Sequence, residues 1–134
     1  MDKKIIFDPA RKKYVSYTPE EEVRQWMVDY LVNLLGYPIS WVTLEKRIKY
    51  GRIYKRIDIL VRERYGQPLI LVECKASCYA LQEAHLNQIA LYNATLQAPF
   101  IMLTNGLSLF SFKLEKTKNR YIQIYNPPFF RQNI

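Results

Sequence analysis

The sequence is poor in the residues that build cysteine- and histidine-based metal sites. Two of its 134 residues are cysteine and one is histidine. A structural zinc site usually needs four such ligands. We therefore predict that Cys74 and Cys78 are reduced thiols, with Cys74 in a core strand. His85 has no evident catalytic partner and is predicted to be an ordinary helix residue.

Long apolar stretches are also missing. The longest uninterrupted run comprises residues 69–72, far short of the about 20 residues that span a membrane. The N-terminus has no apolar region and no cleavage site of the secretory type. The Gly-x-x-x-x-Gly-Lys-Ser/Thr loop that cradles nucleotide phosphates is absent as well. These absences predict a cytoplasmic protein without a membrane segment or an ATP site.

The composition indicates a folded domain with a polyanionic partner. Hydrophobic residues make up 49% of the chain, too many for a disordered protein, and the length suits one domain over residues 1–134. Lys and Arg exceed Asp and Glu by 20 to 12, a formal net charge of +8. A basic surface binds nucleic acid by neutralising phosphates and releasing their counterions.

The pattern of apolar and turn residues predicts one α/β domain with a mixed sheet. A first helix begins at Thr18 as N-cap, with Pro19 in the first turn and Glu21 completing a capping box, and it stops at Gly36. Its predicted core positions are Val23, Trp26, Met27, Tyr30, Leu31, Leu34 and Leu35. A second helix is predicted over residues 80–96. The predicted strands are residues 3–7, 13–17, 42–50, 53–62, 69–75, 100–104, 107–114 and 121–125.

Two of these strands carry the residues with chemical potential. Asp58 lies inside an apolar run, and the continuously apolar strand 69–75 ends in Glu73-Cys74-Lys75. The period of two puts Glu73 and Lys75 on one face and Cys74 on the other. If the strands are neighbours, Asp58 and Glu73 converge and repel, and a divalent cation relieves the conflict. Lys75 can then orient a water for phosphodiester hydrolysis.

A structural interpretation of the same residues stays open. Glu-x-Lys occurs by chance about once in 250 positions in a sequence of this charge content. Glu73 and Lys75 can form a solvated pair at a sheet edge. Asp58 can be bonded to Arg56 or Arg62.

The order of motifs resembles the PD-(D/E)xK nuclease superfamily, most closely the N-terminal nuclease domain of type I restriction enzyme R subunits. The family's Pro-Glu-Glu-x-Val-Arg helix matches residues 19–24, and its lone strand Asp matches Asp58. Its Glu-x-Lys matches residues 73–75, and Gln-x-x-x-Tyr matches residues 88–92 on the second helix. Thr-Asn-Gly matches residues 104–106. The resemblance spans residues 5–112.

The resemblance implies a restriction-endonuclease-like, three-layer fold and a Mg²⁺- or Mn²⁺-dependent DNA endonuclease. Asp58 and Glu73 are expected to bind the metal, with the Cys74 carbonyl as a further ligand, and Lys75 to position the attacking water. Glu21 is favoured as the supporting helix acid, ahead of its neighbours Glu20 and Glu22. Gln88 and Tyr92 share a helix face and are expected to contact the DNA backbone.

Other interpretations remain at this point. The rival to a nuclease is a non-catalytic nucleic-acid-binding or assembly module that keeps the scaffold, and RNA is a third option as substrate. Tyr92 can instead be a core aromatic, and core packing is the default for Tyr121, Tyr125, Phe129 and Phe130. A homodimer is open because cutting both strands needs two sites. ATP-driven translocation would come from motor or specificity subunits acting in trans.

Overall fold

A computed structural model describes residues 4–131. Its two main helices are α1 (Pro19–Asp29) and α2 (Glu83–Leu96). The eight strands are β1 (Ile5–Asp8), β2 (Lys13–Ser16), β3 (Val42–Tyr50), β4 (Ile53–Arg62), β5 (Pro68–Cys74), β6 (Phe100–Thr104), β7 (Leu109–Glu115) and β8 (Arg120–Ile124). No helix in this part of the chain is long and apolar enough to cross a membrane.

The central sheet has six strands in the order β3-β4-β5-β6-β7-β8, and β1 and β2 form a separate hairpin. Only β5 and β6 run parallel among the six, and α2 forms the crossover between them. One apolar cluster joins α1 to one face of the sheet through residues such as Met27 and Val72. A second joins α2 to the other face through Leu71 and Ile89. The predicted three-layer α/β domain with a mixed sheet is therefore confirmed.

Helix α1 begins as predicted but is built differently near its ends. The Thr18 hydroxyl accepts from the Glu21 N–H at 3.0 Å, and Pro19 occupies the first turn. The predicted return bond of the capping box, from the Thr18 N–H to the Glu21 carboxylate, is wrong. The Glu21 carboxylate binds two arginines instead. The α-helix gives way to a π-helical turn at Tyr30–Leu34, and Gly36, with φ of +88°, ends the helical segment.

The π-helical turn also changes which apolar residues reach the core. Its wider winding shifts the phase of the pattern, so Leu34 is 62% exposed while Leu35 is buried. Trp26 is also exposed, on the outer side of the helix, where it stacks on Tyr30. The prediction of core positions for Trp26 and Leu34 is therefore wrong, and that for the other buried positions is confirmed.

Helix α2 begins three residues later than predicted. Residues 80–82 are not helical, and Gln82 is the N-cap. The Nδ1 atom of His85 accepts from the Gln82 backbone N–H at 3.1 Å, which closes a reciprocal capping arrangement. His85 is thus a capping residue of the helix.

Strands β3, β4 and β6 have their predicted bounds, and the boundaries of the other strands differ from prediction by at most two residues. Strand β5 ends at Cys74, so Lys75 lies just beyond it, although its N–H still donates to the Thr104 carbonyl at 2.9 Å. Strand β7 begins at Leu109 because residues 105–108 form the turn, stabilised by the Asn105 side chain. Residue 3 of the first predicted strand lies outside the described residues.

The C-terminal aromatic residues divide into two groups. Tyr121 is half-buried and its hydroxyl accepts from Asn93, and Phe130 packs edge-on against Tyr37 and Trp41. Core packing is confirmed for these two. Tyr125 and Phe129 are exposed, at 88% and 54%, so core packing is wrong for them.

Strands β3 and β4 are distorted where the candidate site begins. Their register runs continuously except at Glu45, which lies opposite Asp58 and has φ of +53°. Ile57 packs in the α2 cluster, but Ile59, two residues on, packs in the α1 cluster. Regular alternation would put both on one face. The irregularity at Glu45 and Asp58 therefore re-aims the Asp58 side chain, as bulges next to active sites commonly do.

Candidate active site

Asp58 and Glu73 meet where the pairing of β4 and β5 stops. Ile59 pairs with Val72, and the same register places Asp58 opposite Glu73. Beyond this point the Cys74 N–H donates not to a backbone carbonyl but to Oδ2 of Asp58, at 2.8 Å. The Asp58 carboxylate therefore substitutes for the sheet ladder at the end of β5.

Arg24 holds the other oxygen of Asp58. Its Nη2 donates to Asp58 Oδ1 at 2.8 Å and to Glu20 Oε1 at 2.9 Å, and its Nη1 pairs with Glu21. Arg24 and Asp58 are both buried. A buried carboxylate with two hydrogen-bonded oxygens has a fixed orientation. The interpretation that Asp58 is bonded to Arg56 or Arg62 is wrong.

Glu73 and Lys75 form an ion pair, with Lys75 Nζ at 3.5 Å from Glu73 Oε1. This agrees with the prediction that they share a face. Burial is the largest of the effects that together raise the pKa of Glu73 to about 8; the charge of Asp58 and a hydrogen bond with it also raise this pKa, and Lys75 opposes them. Near neutral pH the Glu73 carboxyl is thus largely protonated.

The acids at the start of α1 have different partners. Burial raises the pKa of Glu20, and the charge of Asp58 and a hydrogen bond with it add to the shift. Glu20 Oε1 and Asp58 Oδ1 accept from the same nitrogen of Arg24, so the two carboxyls are close together, although the Glu20 side chain is about half exposed. The carboxylate of Glu21 is buried between Arg11 and Arg24, and Glu22 points away to the Tyr17 hydroxyl.

A chain of ion pairs extends the site toward the β1–β2 hairpin. Arg11 binds Asp8, Glu21 and, at 2.8 Å, Glu45 Oε2. A cleft of about 500 Å³ lies between this hairpin and the start of α1, with Glu20, Arg24 and Glu45 in its wall. The structure thus places an open polar cleft beside the carboxyl groups.

Sequence reasoning missed Arg11, Arg24 and Glu45 as members of this cluster. Arg24 carried a signal, because it follows Glu20 and Glu21 by four and three positions on one helix face. Arg11 and Glu45 carried no such signal. Arg11 is 34 residues from Glu45 and 10 residues from Glu21 in the sequence, and the three residues lie in different parts of the fold.

Cys74 is a buried thiol, and Cys78 is exposed. Burial raises the pKa of the Cys74 thiol well above its ordinary value, and the negative charge of Asp58 raises it further. The thiol therefore stays protonated, as expected of a core cysteine. Its sulfur is not suited to hold a metal, which needs the thiolate.

Gln88 and Tyr92 are joined to each other. Gln88 Nε2 donates to the Tyr92 hydroxyl at 2.9 Å. The Tyr92 ring is buried in the α2 cluster, and Gln88 is exposed. No hydrogen bond connects either residue to Asp58, Glu73 or Lys75 within residues 4–131. The core interpretation of the Tyr92 ring is confirmed. Its hydroxyl accepts a hydrogen bond from the exposed Gln88.

The oxygen donors at the site suit a hard divalent metal. Within residues 4–131, no group of three or more His, Cys, Asp or Glu side chains is arranged to hold a metal ion. Magnesium, however, is commonly held by one or two carboxylates, with waters and substrate phosphate completing its shell. Asp58 and Glu73 supply two such groups, which repel each other without a cation. The residues present fit a Mg²⁺ or Mn²⁺ ion of this kind.

Comparisons with known proteins agree with the fold and the order of motifs. No curated protein sequence matches the chain. The crystal structure of a DUF820 protein from Anabaena variabilis ATCC 29413, provisionally assigned as a nuclease, matches with a TM-score of 0.50 and 13% identity. The match covers 90% of this chain and 76% of that chain, and it supports the fold.

The family model described as type I restriction enzyme R protein N terminus matches residues 19–128. This range contains α1, the whole central sheet and α2, and with them Arg24, Asp58, Glu73 and Lys75. The chain therefore belongs to the family of the type I restriction enzyme R protein N terminus.

Proposed function

We propose that the chain is a metal-dependent DNA endonuclease domain of the PD-(D/E)xK type. The observation that carries the proposal is the convergence of Asp58 and Glu73, with Lys75 Nζ at 3.5 Å from Glu73. Two buried carboxyls and an ammonium group at one sheet end cost stability. Such an arrangement is typical of a functional site rather than of a stabilising ion pair.

Asp58 and Glu73 are the proposed metal ligands, with the Cys74 backbone carbonyl as a further oxygen donor. A bound Mg²⁺ or Mn²⁺ would act as a Lewis acid on a phosphoryl oxygen and lower the pKa of a water. Lys75 is proposed to orient the attacking water and to stabilise charge that develops on the phosphate.

The supporting acid of α1 is proposed to be Glu20. Both Glu20 and Glu21 were candidates, but Glu21 is buried between Arg11 and Arg24, whereas Glu20 is about half exposed and shares the Arg24 Nη2 donor with Asp58. Glu21 is then a positioning residue, because it orients the Arg24 guanidinium that holds Asp58. Gln88, which is hydrogen-bonded to the Tyr92 hydroxyl, is proposed to contact the DNA backbone.

The partners implied by the family are DNA and the other subunits of a type I restriction system. DNA is the proposed substrate, since a net charge of +8 favours a phosphate polymer. Motor and specificity subunits are proposed as further partners in trans. A cytoplasmic location follows from the same proposal.

The proposal is tested by nicking of supercoiled plasmid in Mn²⁺ or Mg²⁺. We expect Asp58→Asn and Lys75→Ala each to lower the nicking rate by at least about 100-fold. Asp29→Asn and Lys116→Ala, which change the same residue types at exposed positions, should cut like the wild type. A separate readout is the Mn²⁺-induced rise in melting temperature, which Asp58→Asn should abolish.

A different outcome would favour the non-catalytic binding module. The observation behind it is that both oxygens of Asp58 already accept hydrogen bonds, from Arg24 and Cys74. In that case the wild type would bind DNA but neither nick it nor gain stability from Mn²⁺. Nicking by Asp58→Asn at the wild-type rate would show that the assigned site is wrong, and cleavage of RNA alone would correct the substrate.

A further inference from the structure

The end of the β3–β4 hairpin is unusually basic. Its residues 46–57, which we call the basic hairpin, contain six cations and no acid. The cations are Lys46, Arg47, Lys49, Arg52, Lys55 and Arg56. In the whole chain Lys and Arg exceed Asp and Glu by less than two to one, so this segment concentrates positive charge well beyond the average.

The cations on one face of the basic hairpin are exposed and lie close together. Arg47 lies directly opposite Arg56, and Lys49 opposite Tyr54. Arg56 is 65% exposed at its side chain and Tyr54 is 59% exposed. Like charges directly opposite each other destabilise an antiparallel pair. Their presence without an acid in the segment points to an anionic partner outside the chain.

An aromatic ring lies within this charged face. The guanidinium of Arg47 stands 4.9 Å from the centroid of the Tyr54 ring. This contact orders Arg47 by a cation–π interaction. An ordered guanidinium loses less entropy when it binds a phosphate than a freely rotating one does.

The charged face leads directly into the candidate active site. Along β4 the side chains of Tyr54 and Arg56 lie on one side of the strand, and Arg56 comes two residues before Asp58. Arg56 Nη1 lies 3.7 Å from Glu45 Oε1, at the edge of the site. The opposite side is fixed to the domain by Ile48 and Ile57, which are buried in the α2 cluster. The basic hairpin is therefore held in place beside the carboxyl groups.

We propose that the basic hairpin binds the phosphate backbone of duplex DNA on one side of the bond to be cut. The inference rests on the proposed function, because it assigns the substrate surface of that same site. A two-stranded β-ribbon fits a DNA major groove, which is about 12 Å wide. Phosphate contacts of this kind set position and orientation rather than sequence preference.

The test measures binding of a labelled DNA duplex by fluorescence anisotropy in EDTA, so that the result does not depend on cleavage. The hairpin variant is Arg47→Gln/Lys49→Gln/Arg52→Gln. The matched control is Lys113→Gln/Lys116→Gln/Lys118→Gln, which removes the same charge from exposed positions around the β7–β8 turn. The hairpin variant should bind roughly 10- to 100-fold more weakly at about 0.1 M salt, with a salt slope smaller by about 2–3.

A footprint on the wild type makes the test independent of how the variant folds. Bound DNA should protect Lys49 from acetylation but leave Lys113, Lys116 and Lys118 reactive. Equal binding by the hairpin and control variants, absence of protection, or stronger competition by duplex RNA than by duplex DNA would overturn the inference. Binding with protection but without nicking in Mn²⁺ would support the basic hairpin while contradicting the nuclease proposal.

Discussion

The Asp58 carboxylate is held by two donors of different kinds. The Cys74 N–H fixes one oxygen to the end of β5, and the Arg24 guanidinium fixes the other to α1. Each carboxylate oxygen can accept more than one interaction, so these bonds orient Asp58 without using up its capacity. Arg24 also neutralises part of the charge that Glu20 and Glu21 bring. It therefore allows several acids to lie together in the folded protein.

Arg24 is also incompletely bonded. Its Nε is buried without a hydrogen-bond partner among the described residues. A buried, unpaired donor costs about 1–3 kcal/mol. The arrangement around Asp58 is thus not optimised for stability, which agrees with a cluster kept for its chemistry.

The first prediction concerns Glu73 and pH. Its pKa is about 8 in the folded protein, against an ordinary 4.5. Between these values the folded state binds more protons than the unfolded state, so the free energy of unfolding should fall as pH rises. We expect a loss of about 3 kcal/mol between pH 5.5 and pH 8.5 from this group, measured by urea unfolding in EDTA.

The matched variants separate Glu73 from other groups. Glu73→Gln should remove this part of the pH dependence and make the protein more stable than the wild type at pH 8.5. Glu83→Gln, at an exposed position of α2, should leave the dependence unchanged. A wild-type pH dependence that persists in Glu73→Gln would show that the carboxyl is not held in its protonated form.

Among the elements, those governed by local pattern were predicted best. Strands β3 and β4 match their predicted ranges because both are long alternating runs bounded by turns, with Gly51 at φ of +63° between them. The start of α1 was also predicted, since its cap depends on Thr18 and Pro19 alone. Asp58 and Glu73 could be brought together from sequence because neighbouring strands in the chain usually pair.

The elements that were missed depend on contacts between distant residues. The π-helical turn at Tyr30–Leu34 and the distortion at Glu45 have no sequence signature of their own. Helix α2 starts late because Gln82 and His85 cap it. These residue types rarely serve as caps, so this start had no signal in the sequence. The burial of Glu21 between two arginines also had no local signal, because Arg11 comes from another part of the fold.

The second prediction concerns the connection from α2 to the sheet. Asn93 is fully buried; its Nδ2 donates to the Ala98 carbonyl and the Tyr121 hydroxyl, and its Oδ1 accepts from the Ala98 N–H. Asn93→Ala leaves the two buried backbone groups of Ala98 and the partly buried Tyr121 hydroxyl without this partner. We expect the free energy of unfolding to fall by about 3 kcal/mol, measured by urea denaturation.

Two variants bracket that effect. Tyr121→Phe removes only one of the three bonds and should cost about 1 kcal/mol. Asn87→Ala changes the same residue type at an exposed position of the same helix and should stay within about 0.5 kcal/mol of the wild type. A similar loss for Asn87→Ala and Asn93→Ala would mean that helix propensity, rather than the buried bonds, sets the result.

At the scale of the whole molecule, charge is divided between an acidic site and a basic remainder. The connected cluster contains six carboxyls, Asp8, Glu20, Glu21, Glu45, Asp58 and Glu73, and four cations, Arg11, Arg24, Arg56 and Lys75. Its formal charge of −2 leaves +10 for the rest of a chain whose net charge is +8. Such a division would suit the proposed divalent cation at the site and the proposed phosphate polymer on the surface around it.

The third prediction concerns the products of plasmid cleavage. The described residues contain one Asp58–Glu73–Lys75 cluster, and one site of this kind cuts one strand at a time. We therefore expect supercoiled plasmid to pass through an accumulating nicked circle, and linear product to follow more slowly, as measured on agarose gels over time. Linear product should rise with about the square of protein concentration if two chains must act together, as a homodimer would. Linear product that forms without any nicked intermediate, at every protein concentration, would contradict a single-site chain, and the Lys75→Ala variant serves as the control for contaminating nuclease.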